Sequence, residues 1–124
     1  MVRNYTDLEI YQRSLKLVKE IYLLTKNFPK DETYGMRDQV RRAAASIGAN
    51  IAEAFGRYHY KDKLVFLYNS RGSLYETQHF LELATSVGYI KEVDKLGLLG
   101  DCRELAVKLN NFIKVIGQTK SDYE

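Results

Sequence analysis

Leu64, Leu67, Arg71, Leu74, Gln78, Leu81 and Thr85 alternate by three and four residues. That spacing places one residue per turn on a single helical stripe, the heptad seam of helices that pack alongside one another. The same spacing returns in Leu99, Cys102, Ala106, Leu109, Ile113 and Ile116. Two long seams need partner helices, and the first half of the chain supplies them. Leu8, Tyr11, Leu15, Val18 and Tyr22 form one stripe, and Met36, Val40, Ala43, Ile47, Ile51 and Ala54 form another. The pattern predicts helices over about 7–26, 34–55, 60–86 and 92–117.

Local signals support these bounds. Thr6 with Glu9 reads as a capping box at the start of the first helix. Pro29 ends it, because the residue before a proline is pushed out of the helical region. Gly56 is placed as the C-terminal cap of the second helix, and Gly88 closes the third. The polar tail from Gln118 onward is expected to fray. No alternating Val/Ile-rich run suggests a strand. Connections of only a few residues join antiparallel neighbours. The predicted fold class is therefore all-α, an antiparallel up-down-up-down four-helix bundle forming a single domain over residues 1–124.

A chain of 124 residues can bury a core without staples. Its one cysteine, Cys102, excludes an intrachain disulfide. With no signal-peptide pattern and no apolar run near 20 residues, a cytoplasmic location away from membranes is expected.

The second helix is unusual. Gln39 to Arg57 reads QVRRAAASIGANIAEAFGR, with Ala, Gly and Ser where Leu is ordinary. Such a run lets a neighbouring helix approach closely. Along one edge, Arg42, Ser46, Asn50, Glu53 and Arg57 advance by four, four, three and four and share a face. Two readings follow. In the favoured one, Arg42, Glu53 and Arg71 pair in or near the bundle interior, with Ser46 and Asn50 satisfying the remaining groups and Glu76 close by, as a structural polar network. In the other, the ladder lines a groove for RNA, DNA or a protein partner.

Charge is concentrated in the same region. Seven positive and three negative residues lie between Arg37 and Arg71, although the whole chain carries only +3. Arg37, Arg41, Arg57, Lys61 and Lys63 are the candidate phosphate contacts. Tyr58 and Tyr60 interleave with three of these cations, an arrangement suited to stacking on unpaired bases. The first helix carries apolar residues on two flanks, Leu17, Ile21 and Leu24 beside Leu15 and Val18, which argues for self-association.

Catalytic chemistry finds little support. Glu76 and His79 have the Glu-x-x-His spacing of di-iron bundles, but those sites need a second such motif, and His59 lacks one. Cys102 lies on an apolar seam, where cysteine is usually a small hydrophobe. No phosphate-binding loop is present, because Arg71-Gly72-Ser73 falls inside a helix. Gly72 and Ser73 are expected to let another helix come near. No cofactor, metal or catalytic residue is assigned.

Three segments, YTDLEIYQRSLKLVKEIYLLTKNFP, QVRRAAASIGANIAEAFGR and FLYNSRGSLYET, resemble in order and spacing the bacterial four-helix bundle family of 23S ribosomal RNA intervening-sequence proteins. The resemblance spans about residues 5–90. Its most specific part is Asn50 to Glu53, then Gly56-Arg57, then Arg71-Gly72-Ser73 with Glu76. Ala54 departs from the family, which usually has Gly there. The resemblance implies an antiparallel bundle that assembles as a homopentamer, and no catalytic residues to carry over. The bundle also resembles the accessory variability protein of diversity-generating retroelements, a basic pentamer that binds nucleic acid. The expected function is a non-enzymatic oligomer that binds nucleic acid or a ribonucleoprotein through the basic segment. The alternative is a scaffolding homo-oligomer with protein partners only.

Overall fold

The computed structural model describes residues 2–123, with side chains through Thr119. Short 3-10 turns at Tyr5–Asp7 and Lys30–Glu32 precede the first two of four α-helices. These are α1 (Glu9–Thr25), α2 (Met36–Gly56), α3 (Tyr60–Ser86) and α4 (Glu92–Tyr123). Each helix packs on its neighbour in sequence, and α4 closes on α1. Neither diagonal, α1 with α3 or α2 with α4, brings Cα atoms within 8 Å among the described residues. The fold is the expected four-helix bundle. Its most extensive interface lies between α2 and α3.

The core is built from fully buried Leu and Ile. Ile21, Ile47, Ile51, Leu67, Leu74, Leu81, Leu105 and Leu109 have almost no exposed surface. Each contributes about 1.5–3 kcal/mol on leaving water. The α2 stripe from Val40 to Ala54 is buried as predicted, and so is the α4 seam at Leu99, Cys102, Leu109 and Ile113.

Two seams sit differently from the prediction. On α3 the buried residues are Leu67, Ser70, Leu74, Thr77, Leu81 and Ala84. Arg71 and Gln78 fall beside this line, only half-buried. From Leu67 the next seam residue can be three or four positions on, and size decides it. Ser70, Thr77 and Ala84 fit against the close backbone of α2, whereas a guanidinium there would lose its water. Each buried hydroxyl is satisfied: Ser70 Oγ donates to the Ile47 carbonyl at 2.8 Å, and Thr77 Oγ1 donates to the Ser73 carbonyl at 2.8 Å. On α1 the inward line is Ile10, Ser14, Leu17, Ile21 and Thr25. Leu15 and Tyr22, expected on the core stripe, are exposed.

Helix ends also differ in detail. The capping box uses Asn4 and Asp7 on the first 3-10 turn, not Thr6 and Glu9. The Asn4 carboxamide is one turn earlier and accepts from the Tyr5 N–H at 2.7 Å. Gly56 is the last residue of α2, and the chain leaves through an extended Arg57 at φ −86°. A left-handed glycine cap is not needed there, because Lys63 Nζ donates to the Ala54 and Phe55 carbonyls at 3.2 and 3.3 Å. Gly88, at φ +87°, does close α3. The Tyr89 N–H then reaches back to the Ala84 carbonyl at 2.8 Å. Helix α4 continues to Tyr123 instead of ending near Gly117. Glu124, the end of the polar tail, lies outside the described residues.

Close approach occurs at Gly48. A Cβ there would lie 2.8 Å from Ser14 Oγ and 3.4 Å from Tyr11 Cε1 on α1. Gly72, expected to admit a neighbouring helix, instead opens onto empty space within the protomer.

Candidate nucleic-acid interface at the turn between the second and third helices

The ladder on α2 does not form one internal network. Arg42 is directed outward, its side chain 81% exposed, and reaches only Asp38 at 3.8 Å. Glu53 pairs with Arg57 one turn along at 3.3 Å, both exposed. Arg71 donates to Asn110 Oδ1 on α4 at 3.1 Å and stacks over Tyr68 at 5.1 Å. Glu76 is exposed and has no ion pair among the described residues. The expected pairing of Arg42, Glu53 and Arg71 is therefore corrected. The Ala-rich inner face of α2 draws its neighbours close and leaves no room for guanidinium groups. The short members link to one another, within α2 and between α2 and α3. Asn50 Nδ2 donates to Ser46 Oγ at 3.0 Å, and Ser73 Oγ of α3 donates to Ser46 Oγ at 3.0 Å.

The five candidate phosphate contacts separate as well. Arg37 and Arg41 lie near the start of α2, while Arg57, Lys61 and Lys63 lie at or beyond its end. Sixteen to twenty residues at 1.5 Å rise set the two groups roughly 25–30 Å apart. Arg37 donates to Thr33 Oγ1. Arg41 clamps α1 to α2: Nε donates to Thr25 Oγ1 at 2.8 Å, Nη2 donates to the Tyr22 carbonyl at 3.1 Å, and the guanidinium lies 4.4 Å over the Tyr22 ring. Lys63 caps α2, and burial pushes its pKa down. Arg41 thus clamps the bundle through donors that a phosphate would otherwise take, while Lys63 commits two of its three ammonium protons to the end of α2.

What remains free is the turn itself. Arg57 pairs loosely with Glu53 and lies 4.5 Å over the Phe66 ring, with its side chain 47% exposed. Tyr58 is 89% exposed, and its ring meets that of His59 edge-on at 5.1 Å. Lys61 is exposed and has no hydrogen bond or ion pair among the described residues. The antiparallel topology brings the start of the chain and the latter part of α4 toward this same end of the bundle, which also carries exposed Arg3 and Lys114. Tyr60, expected to stack with Tyr58, is only half-exposed. Cations beside an exposed aromatic ring suit an unpaired base and its phosphates.

Elsewhere the side chains are chemically quiet. Burial pushes the Cys102 thiol up to about 12, aided by Asp101 and opposed by Arg103, so it is not a nucleophile at neutral pH. His79 is exposed and packs tilted on Phe80. Among the described residues no group of three or more His, Cys, Asp or Glu comes together where it could hold a metal ion.

Between α1 and α4, the Glu20 carboxyl lies close to that of Asp101. Burial first, then Asp101, raises the Glu20 pKa above its usual 4.5, against a smaller opposing effect of Lys16. The folded chain therefore binds more protons than the unfolded chain just above pH 4.5, and the Glu20 contribution falls as pH rises through the raised folded value. Glu9 has the opposite sign: its pKa is lowered, first by Lys108, so its contribution is lost as pH falls. Melting curves of Glu20→Gln across acid to neutral pH should show a higher melting temperature than the parent near neutrality, with the difference shrinking as the pH falls. A constant difference would contradict the assignment.

The outer side of α1 carries Leu15, Tyr22 and Leu23, all substantially exposed. Val18 and Tyr22, with the stems of Lys19 and Lys26, line a shallow apolar depression there. No described helix is long and apolar enough to cross a membrane.

A family model described as 23S rRNA-intervening sequence protein matches residues 6–111. Among solved structures, a protein of unknown function from the S23 ribosomal protein family of Bacteroides thetaiotaomicron is similar. It is 28% identical, with a TM-score of 0.76, over 85% of this chain and 98% of that one. No curated protein matches.

Proposed function

The chain belongs to the 23S rRNA-intervening sequence protein family, and on that premise we propose that it is a non-enzymatic, self-associating bundle that binds RNA through the turn between α2 and α3. The observation that carries this reading is the exposed Arg57, Tyr58 and Lys61 set, with Lys61 making no hydrogen bond or ion pair among the described residues. The family's name makes RNA the first partner to test. Arg3 and Lys114 extend the cationic rim. Arg37 and Arg41, roughly 25–30 Å away along α2, are outside this surface.

Self-association is supported by the exposed Leu15, Tyr22 and Leu23 on α1. A ring of several copies, the pentamer that the family resemblance implies, would repeat the basic turn around its rim and multiply weak contacts. A scaffolding role with protein partners only would use the same α1 face without the basic turn.

The test is binding to a structured RNA at 50 and 200 mM salt together with solution mass. Four phosphate contacts, from Arg57, Lys61, Arg3 and Lys114, predict an affinity loss of about 50-fold between those salts at the single-strand slope. Salt-independent or undetectable binding by an oligomer would favour the scaffold.

A further inference from the structure

A cavity of about 250 Å³ opens at the end of the bundle where α2 finishes and α3 begins. Its walls are Leu8, Ile51, Leu67, Phe112 and Ile116, contributed by α2, α3, α4 and the segment entering α1. Almost all of its lining is apolar, and among the described residues Lys63 is its one charged residue. Engineered apolar cavities of about 150 Å³ stay dry and bind benzene, so a larger one with these walls suits hydrocarbon better than ordered water. Left empty, the lining side chains lack partner atoms on one side.

Lys63 gives the cavity a polarity. Two of its three ammonium protons are directed to the Ala54 and Phe55 carbonyls, which fix the nitrogen at the cavity edge. No carboxylate lies within ion-pair distance of it among the described residues. The ammonium is partly desolvated, and its pKa is lowered for that reason. A held cation with a free donor beside an apolar chamber complements one chemical class. We propose that this cavity binds a single-chain carboxylate amphiphile, the hydrocarbon chain between α2, α3 and α4 and the carboxylate on Lys63 Nζ.

Decanoate is the probe, titrated below its micellar concentration and followed by methyl NMR, with 1-decanol as the uncharged comparison. Saturable shifts should appear at the Ile51, Leu67 and Ile116 methyls. Lys63→Met keeps the stem and removes the charge, and should weaken decanoate about tenfold while leaving decanol unchanged. Ala54→Leu should fill the chamber and weaken both ligands, with its melting curve showing whether it folds. The methyl map and Lys63→Met decide the matter even if that variant does not fold. Absence of saturable shifts at those methyls, or decanoate affinity unchanged by Lys63→Met, overturns the proposal.

Discussion

Replacing Leu74 with Ala should lower the unfolding free energy by about 3–4 kcal/mol. Leu74 has no exposed surface and sits midway along α3, the helix that packs against both α2 and α4. Leu67 and Leu81 lie two turns to either side on the same buried line, so the loss falls in the middle of the seam. The buried face of α2, which packs on α3, includes Ala43 and Ala44, whose short side chains cannot extend into the space. The void persists, and transfer and cavity costs add. For a domain of this size the melting temperature should drop by roughly 10–15 °C. Denaturant titration checks it: the midpoint should shift while the slope stays constant. A change below about 1 kcal/mol would mean that α3 does not present Leu74 to the core.

Gly48→Leu should be comparably damaging, by about 3 kcal/mol. The mechanism is the reverse, because the added side chain has nowhere to go. Even its Cβ meets Ser14 Oγ at 2.8 Å. Ser14 is buried, and its hydroxyl already donates to the Tyr11 carbonyl at 2.6 Å, so rotating it away leaves a polar group unpaired. The remaining route is to push α1 from α2, which also strains the Arg41 clamp on Thr25 and Tyr22. Gly72 provides the control. It lies inside α3, is exposed, and has no atom within 4 Å of an added Cβ. Gly72→Ala should therefore stabilise the chain by about 0.5–1 kcal/mol through helix propensity. Chemical denaturation of the three variants separates packing from propensity. If Gly48→Leu and Gly72→Ala shifted stability in the same direction, the close approach of α1 to α2 would be wrong.

The fold was legible because periodicity survives local error. The spacing on α2 and α4 located the buried faces, and Pro29 and Gly88 marked real ends. Periodicity alone could not choose between positions three and four after Leu67 or Leu74. Each choice is a valid step on a helix, and the outcome depends on how closely α2 approaches. Small Ser70 and Thr77 beside the Ala/Gly run of α2 were the available signal. The ladder misled for a related reason. Arg42, Glu53 and Arg71 share a spacing that allows a network, but spacing does not say whether a face turns in or out. Lys63 illustrates another limit. Its role depends on two carbonyls freed at the end of α2, and a tertiary contact with backbone leaves no trace in side-chain identity. The end cavity likewise arises from residues spread between Leu8 and Ile116. By contrast, Arg57, Tyr58 and Lys61 are adjacent in sequence, which is why that part of the basic set stayed together in space.

Along α2, then, the small inner face fixes packing while the outer charges and the turn after Gly56 are left for partners. The double variant Arg57→Gln/Lys61→Gln separates these roles when RNA affinity against salt and thermal unfolding are measured on the same sample. Loss of two phosphate contacts should reduce the salt slope by about two. The melting temperature should fall by no more than roughly 5 °C, since the exposed Glu53 pair and the Phe66 contact contribute little. An unchanged salt slope, or unfolding tens of degrees earlier, would contradict the assignment of this turn as the binding surface.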